Sequence, residues 1–140
     1  VAWENLFINI TLTFDGGEVY YFFNEEGKSD YIYNLYIPKK YEFPNSEFRE
    51  NERRTFKLAW ELREIFKNEE QALWTTCVIK IIGTKLTATF DYAPWFESGF
   101  TSGQQMDFFE YKYLGKKPAN EKEFELFKAM EAFQQKYNEN

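Results

Sequence analysis

The side chains that most often do chemistry are scarce in this chain. It contains no histidine, which removes the commonest general base, the commonest zinc ligand and every Ser-His or Cys-His nucleophile pair. Its one cysteine, Cys77, stands between Thr76 and Val78 on the apolar side of an expected strand, where a free thiol acts as a small core hydrophobe. Carboxylates remain. Asp91 and Asp107 bracket a long loop and would approach each other if their flanking segments were paired strands, while Glu25-Glu26 and Glu69-Glu70 form acidic doublets. Paired acids can serve as acid and base, but 23 acidic residues in 140 bring such pairs together by chance, and a solvated surface is the simpler reading. No calcium-loop spacing occurs, and Gly16-Gly17 leads into a strand rather than a helix N-terminus, so it cradles no phosphate. No catalytic residue, metal or cofactor is expected.

Charge and composition narrow the partners. The formal net charge of −6 and the isolated basic doublets Lys39-Lys40, Arg53-Arg54 and Lys116-Lys117 disfavour direct nucleic-acid binding, which needs a basic stripe. An acidic surface suits a basic protein partner. No run of about 18 apolar residues is present to span a membrane, and no secretory leader is recognisable. A lone cysteine forms no intrachain disulfide, so a reducing cytoplasm is the expected location. Aromatics reach 21% of residues, ample for one folded domain over residues 1–140.

The elements that would carry a site follow from periodicity. Residues 6–14 alternate as a half-buried strand, and a Gly16-Gly17 turn is expected to set Phe14, Leu12 and Ile10 opposite Val19, Tyr21 and Phe23. A third strand is expected over Tyr31–Ile37, ending at Pro38. Pro44 and an N-cap at Asn45 or Ser46 announce a helix with Phe48, Phe56, Ala59, Leu62, Ile65 and Phe66 on its buried stripe. The segment Trp74–Tyr92 reads as a hairpin closed by Gly83-Thr84 in a type II′ turn, central to the sheet, with Ile81, Ile79 and Cys77 sharing a face with Leu86, Ala88 and Phe90. Ala93–Gln104 is expected to be a loop, Met106–Leu114 a strand, and Asn120 with Glu123 the start of a last helix striped by Phe124, Phe127, Met130, Phe133 and Tyr137. The result is an α+β fold: a single antiparallel sheet of about five to six strands with helices packed on it, in the order βββ-α-βββ-α.

Four segments together resemble the YezG-like family of bacterial immunity proteins, the antitoxins of LXG-type nuclease toxins, EsaG-type antitoxins among them. They are Gly17–Phe23 (GEVYYFF), the helix leading into Trp74-Thr75, Gly83–Tyr92 (GTKLTATFDY) and Tyr111–Pro118 (YKYLGKKP). The resemblance spans most of the chain, and YKYLG-x-x-P is its most telling part. It implies a cytoplasmic antitoxin that binds and neutralises a secreted nuclease toxin, with no catalytic residues of its own. Family members usually open with an amphipathic helix before the first strand, so a native helix upstream of Val1 is expected.

The long loop is the expected partner-binding site. Trp95, Phe96 and Phe100, flanked by Asp91, Glu97 and Asp107, fit an interface of aromatic anchors with a negative rim. The alternative is that these rings fold back as a compact Ω-type cap. Two other functions stand beside the antitoxin: a small carboxylate- or metal-dependent hydrolase, and a self-associating module using an exposed strand edge.

Overall fold

In the computed structural model, residues 2–138 are described, and the chain divides into two compact units, Val1–Phe90 and Asp91–Asn140. Among the described residues there are five strands in one open antiparallel sheet and four α-helices, an α+β fold as the sequence predicts.

The first unit holds the sheet. Strands β1 (Trp3–Leu12), β2 (Gly17–Glu25), β3 (Ile32–Tyr33), β4 (Thr76–Ile82) and β5 (Lys85–Asp91) lie in the order β3-β2-β1-β4-β5. The middle strand is therefore β1, and the hairpin β4–β5 lies to one side rather than at the centre. Leu6, Ile8 and Ile10 pair with Ile81, Ile79 and Cys77, which gathers the expected apolar residues of β4 onto one face with those of β1. Gly83 has φ of 62° while Thr84 does not share a positive φ, as a type II′ turn requires.

The β1–β2 register differs from expectation. Leu12 pairs with Gly17, Ile10 with Val19 and Ile8 with Tyr21, and the Thr13 N–H bonds Gly16 O at 2.8 Å to close a four-residue loop. The slide is by an even number of residues, so the two apolar sets still share a face. Only Phe14, 96% exposed, leaves the core. Gly17 explains the choice. It has φ of 150°, and a Cβ built there would lie 2.1 Å from Thr11 O.

The third strand is also shorter than predicted. After Tyr33 the Asn34 side chain takes over, its Oδ1 accepting the Tyr21 backbone N–H at 3.3 Å. The chain then turns through a 3-10 helix, Asn34–Tyr36, into α1 (Ile37–Lys40), where Pro38 sits in the first turn. There its missing N–H costs nothing. The long helix α2 (Asn45–Asn68) begins one residue earlier than expected, with Pro44 at the cap position and no side-chain cap. Phe48 and Ala59 are buried and Phe66 packs on Trp74 and Phe90, but Ile65 lies outside the buried stripe at 57% exposure.

The second unit overturns one element. Met106–Leu114 is not a strand; it belongs to helix α3 (Ser102–Leu114). The signal was upstream: Thr101 and Gln104 make a reciprocal capping box, the Gln104 N–H donating to Thr101 Oγ1 at 3.1 Å and the Thr101 N–H to Gln104 Oε1 at 2.9 Å. Gly115, with φ of 74°, ends the helix in the left-handed conformation. Helix α4 (Glu121–Asn138) starts where predicted, the Glu123 N–H donating to Asn120 Oδ1 at 2.9 Å. Phe127 and Met130 of its stripe are buried, Phe133 half-buried, and Phe124 and Tyr137 at its ends are exposed.

Candidate partner-binding site

The loop between β5 and α3 is built around one carboxylate. Asp91 is buried, and within the second unit its Oδ1 accepts the Ala93 N–H at 2.9 Å and Asn138 Nδ2 at 2.7 Å. Its Oδ2 accepts Trp95 Nε1 at 2.7 Å and Gln134 Nε2 at 2.8 Å. The bond to the N–H two residues on is the local turn that Asp favours. Gln134 and Asn138 are four apart on α4, hence on one helical face. Asn138 Oδ1 also accepts the Tyr92 N–H at 2.9 Å, so the last turn of α4 holds the start of the loop at two points.

From there the chain folds inward. Trp95 opens a 3-10 turn, Trp95–Glu97, and its ring packs on Phe100, Phe108 and Phe133 with centroids 5.0–6.1 Å apart. Ala93, Trp95, Phe108, Phe127 and Met130 form the core of this unit. The loop's main chain is tied down by side chains: Ser98 Oγ donates to Trp95 O at 2.6 Å and Gln105 Nε2 to Phe100 O at 2.9 Å.

The six residues expected at the interface therefore separate. Trp95, at 6% exposure, and Asp91 are interior, correcting the expectation that they form an exposed anchor and its acidic rim. The indole is apolar area best placed in the core, and its N–H finds in Asp91 the acceptor that buried tryptophans need. Phe100 is half-buried against Trp95 and Phe133. Phe96, 55% exposed, and Glu97 face solvent. Asp107 lies on α3, so no strand pairing joins it to Asp91; its carboxylate is 3.9 Å from Lys116 Nζ. Lys116 also bonds Glu110 at 3.1 Å, which holds the ammonium above its ordinary pKa. The compact cap is thus the form the loop takes. Gln134, Asn138 and Gln105, which shape it, lie off every apolar stripe and carry no sequence signal beyond the i,i+4 spacing of the first two.

Among the described residues no group of three or more acids, cysteines or histidines is placed to hold a metal ion. Cys77 is fully buried, and burial pushes its thiol up to about 11. No described helix is long and apolar enough to cross a membrane.

In the first unit, two surface depressions have defined linings. One, of about 340 Å³, is framed by Trp3, Leu6, Phe23, Ile37, Tyr41 and Phe43. The other, of about 520 Å³, runs past Glu18, Val19, Glu52, Arg53 and Phe56. Burial raises the pKa of both Glu18 and Glu52; for Glu52 the Asn34 amide and Tyr21 hydroxyl pull partly the other way. Tyr21 in turn is pushed up to about 12 by burial and by the Glu52 charge.

The sequence matches the family described as "Immunity protein YezG-like" over residues 1–128. It is 29% identical over 134 residues to the type VII secretion system protein EsaG of Staphylococcus aureus, covering 95% of this chain and 82% of that protein. It is 26% identical over 117 residues to the immunity protein YezG of Bacillus spizizenii, covering 83% and 73%. With the family match running through the sheet, α2, the capped loop and α3 into α4, the chain belongs to the YezG-like immunity protein family.

Proposed function

We propose that this protein neutralises a cognate toxin by binding it in a one-to-one complex, and that the toxin is a nuclease whose basic nucleic-acid groove the complex covers. Membership of an immunity family carries the reading, since immunity has meaning only against a toxin. The nuclease identity follows the family resemblance, and the association of one relative's name with type VII secretion suggests the same setting for this chain. No bond is made or broken on its surface; the protein works in the cytoplasm as a fitted cover. A net charge of −6 favours encounter with a basic surface, and burial of anchors governs how long the complex lasts.

The toxin-facing surface is placed at Phe96 and Glu97, with Phe100 and Asp107 at its margins and Asp91 and Trp95 fixing its shape from within. The support is geometric. An exposed aromatic on a loop already held by hydrogen bonds loses little conformational freedom on binding, which is how preorganised anchors gain affinity.

The test is a titration of a cognate nuclease, captured from the source cells on the tagged chain, against the purified protein. Activity should fall linearly and vanish at one equivalent. Complete arrest far below one equivalent would mean turnover and would overturn the occlusion mechanism.

A further inference from the structure

The outer strand β5 has the properties of an interface with itself. It ends the sheet opposite β3 and is seven residues long. Natural edges are normally blunted by proline, a bulge, a central charge or extreme shortness. At the other side of the sheet β3 has only two residues. Strand β5 has none of these protections: between Lys85 and Asp91 it reads Leu-Thr-Ala-Thr-Phe. Leu86 is 63% exposed, and Ala88 and Thr89 are exposed as well.

The two-residue turn fixes which main-chain groups face outward. Ile82 and Lys85 close the hairpin as a hydrogen-bonded pair, so Lys85, Thr87 and Thr89 direct their amides and carbonyls to β4. Leu86, Ala88 and Phe90 direct theirs away from it. Three donors and three acceptors thus line the free edge, centred on Ala88.

The side chains are arranged about the same centre. Reading outward from Ala88, threonine meets threonine (Thr87, Thr89) and a large apolar residue meets another (Leu86, Phe90). In an antiparallel pairing with a second copy, a two-fold axis at Ala88 brings each residue opposite its counterpart. Exposed Leu86 packs on Phe90 of the other copy, and no like charges oppose each other. Roughly six main-chain hydrogen bonds form, more than a register centred on Thr87 or Thr89 allows. From this self-complementarity we infer that the protein forms a homodimer through antiparallel β5–β5 pairing, with the two-fold axis at Ala88 and a sheet continuous across both copies.

Sedimentation of the full chain over a micromolar concentration series should show the mass double. Ala88→Lys and Ala88→Glu each place like charges face to face on the axis and should each remain monomeric, whereas their equimolar mixture should dimerise. In the unaltered chain, the amide hydrogens of Leu86, Ala88 and Phe90 should gain exchange protection as concentration rises, a readout that needs no substitution. A wild type that stays monomeric overturns the inference, even if edge variants weaken toxin binding, because the occupant of the edge would then be a partner's strand. A dimer that survives both substitutions, or whose formation leaves those three amides unprotected, overturns it equally.

Discussion

The indole nitrogen of Trp95 donates to Asp91 Oδ2 across 2.7 Å, inside a core that neither residue's neighbours in sequence would suggest. This bond turns a loop of mixed composition into a fixed platform, with its largest ring inside and Phe96 outside. Replacing Trp95 by Phe keeps most of the packing but leaves a buried carboxylate one donor short, a loss of about 2 kcal/mol. Trp95→Ala removes the ring as well and should cost about 3–5 kcal/mol. Urea denaturation followed by near-ultraviolet circular dichroism measures both. Equal, negligible losses would mean that the loop is not held this way.

A second prediction concerns the first turn. A methyl group at Gly17 would meet Thr11 O at 2.1 Å, a contact that only a main-chain shift can relieve. Gly17→Ala should therefore destabilise the protein by roughly 2 kcal/mol or more, in the range of strained backbone sites. Gly16→Ala, with open space around the added group, is the control, and thermal midpoints for the pair should separate clearly.

The single thiol offers a direct probe of the core. With Cys77 fully buried and its pKa pushed up to about 11, almost no thiolate exists at pH 8 and reagents cannot reach it. A chromogenic disulfide reagent should leave the native protein unmodified over hours and titrate one thiol promptly in denaturant. Fast labelling of the native state would place Cys77 near the surface.

Glu52 gives a pH signature. Burial raises its folded pKa above the ordinary carboxylate value, so the folded state binds the proton more tightly than the unfolded chain. Stability then falls as pH rises through the carboxylate range, and the charged form disfavours folding at pH 7. Glu52→Gln should be slightly more stable than wild type at pH 7, by less than about 1 kcal/mol because the group is only half-buried. The advantage should close as pH drops below about 4. A variant less stable than wild type at pH 7 would show that the carboxylate's bonds to Tyr21 and Asn34 outweigh its burial.

At the proposed toxin-facing surface, Phe96→Ala should leave the fold intact and weaken toxin binding by at least about 30-fold, the size of an aromatic hot spot. Glu97→Lys should mainly slow association and reduce its salt dependence. Isothermal titration and stopped-flow measurements distinguish the two. Unchanged affinity in both variants would move the interface elsewhere.

Much of this was legible from local chemistry. The alternation of residues 6–14, although it overruns the end of β1 by two residues, the Gly83-Thr84 turn and the Asn120 cap each produced the element they announce, because one physical constraint dominated each segment. Helix α3 was misread because Phe108, Phe109, Tyr111, Tyr113 and Leu114 are all buried or half-buried. A helix enclosed on most sides loses its 3.6-residue signature, and the pairs of aromatics then imitate a strand. Only the Thr101–Gln104 cap still marked it. The register of β1–β2 was set by a close backbone approach at Gly17 that no side-chain pattern encodes. Trp95 was misplaced for a related reason: polar neighbours suggested exposure, while its burial depends on Asp91, Gln134 and Asn138 converging from segments more than forty residues apart.

That convergence makes the far end of α4 a remote guarantor of the loop. Lys136 and Tyr137 are exposed, and a trypsin-like cut after Lys136 would carry off Asn138, freeing the Tyr92 amide and removing one of the two donors to Asp91 Oδ1 without touching any loop residue. Nicked protein should therefore keep its sheet yet present Phe96 on a slackened mount, so that clipping of the terminal turn alone would read out as lost protection against the toxin.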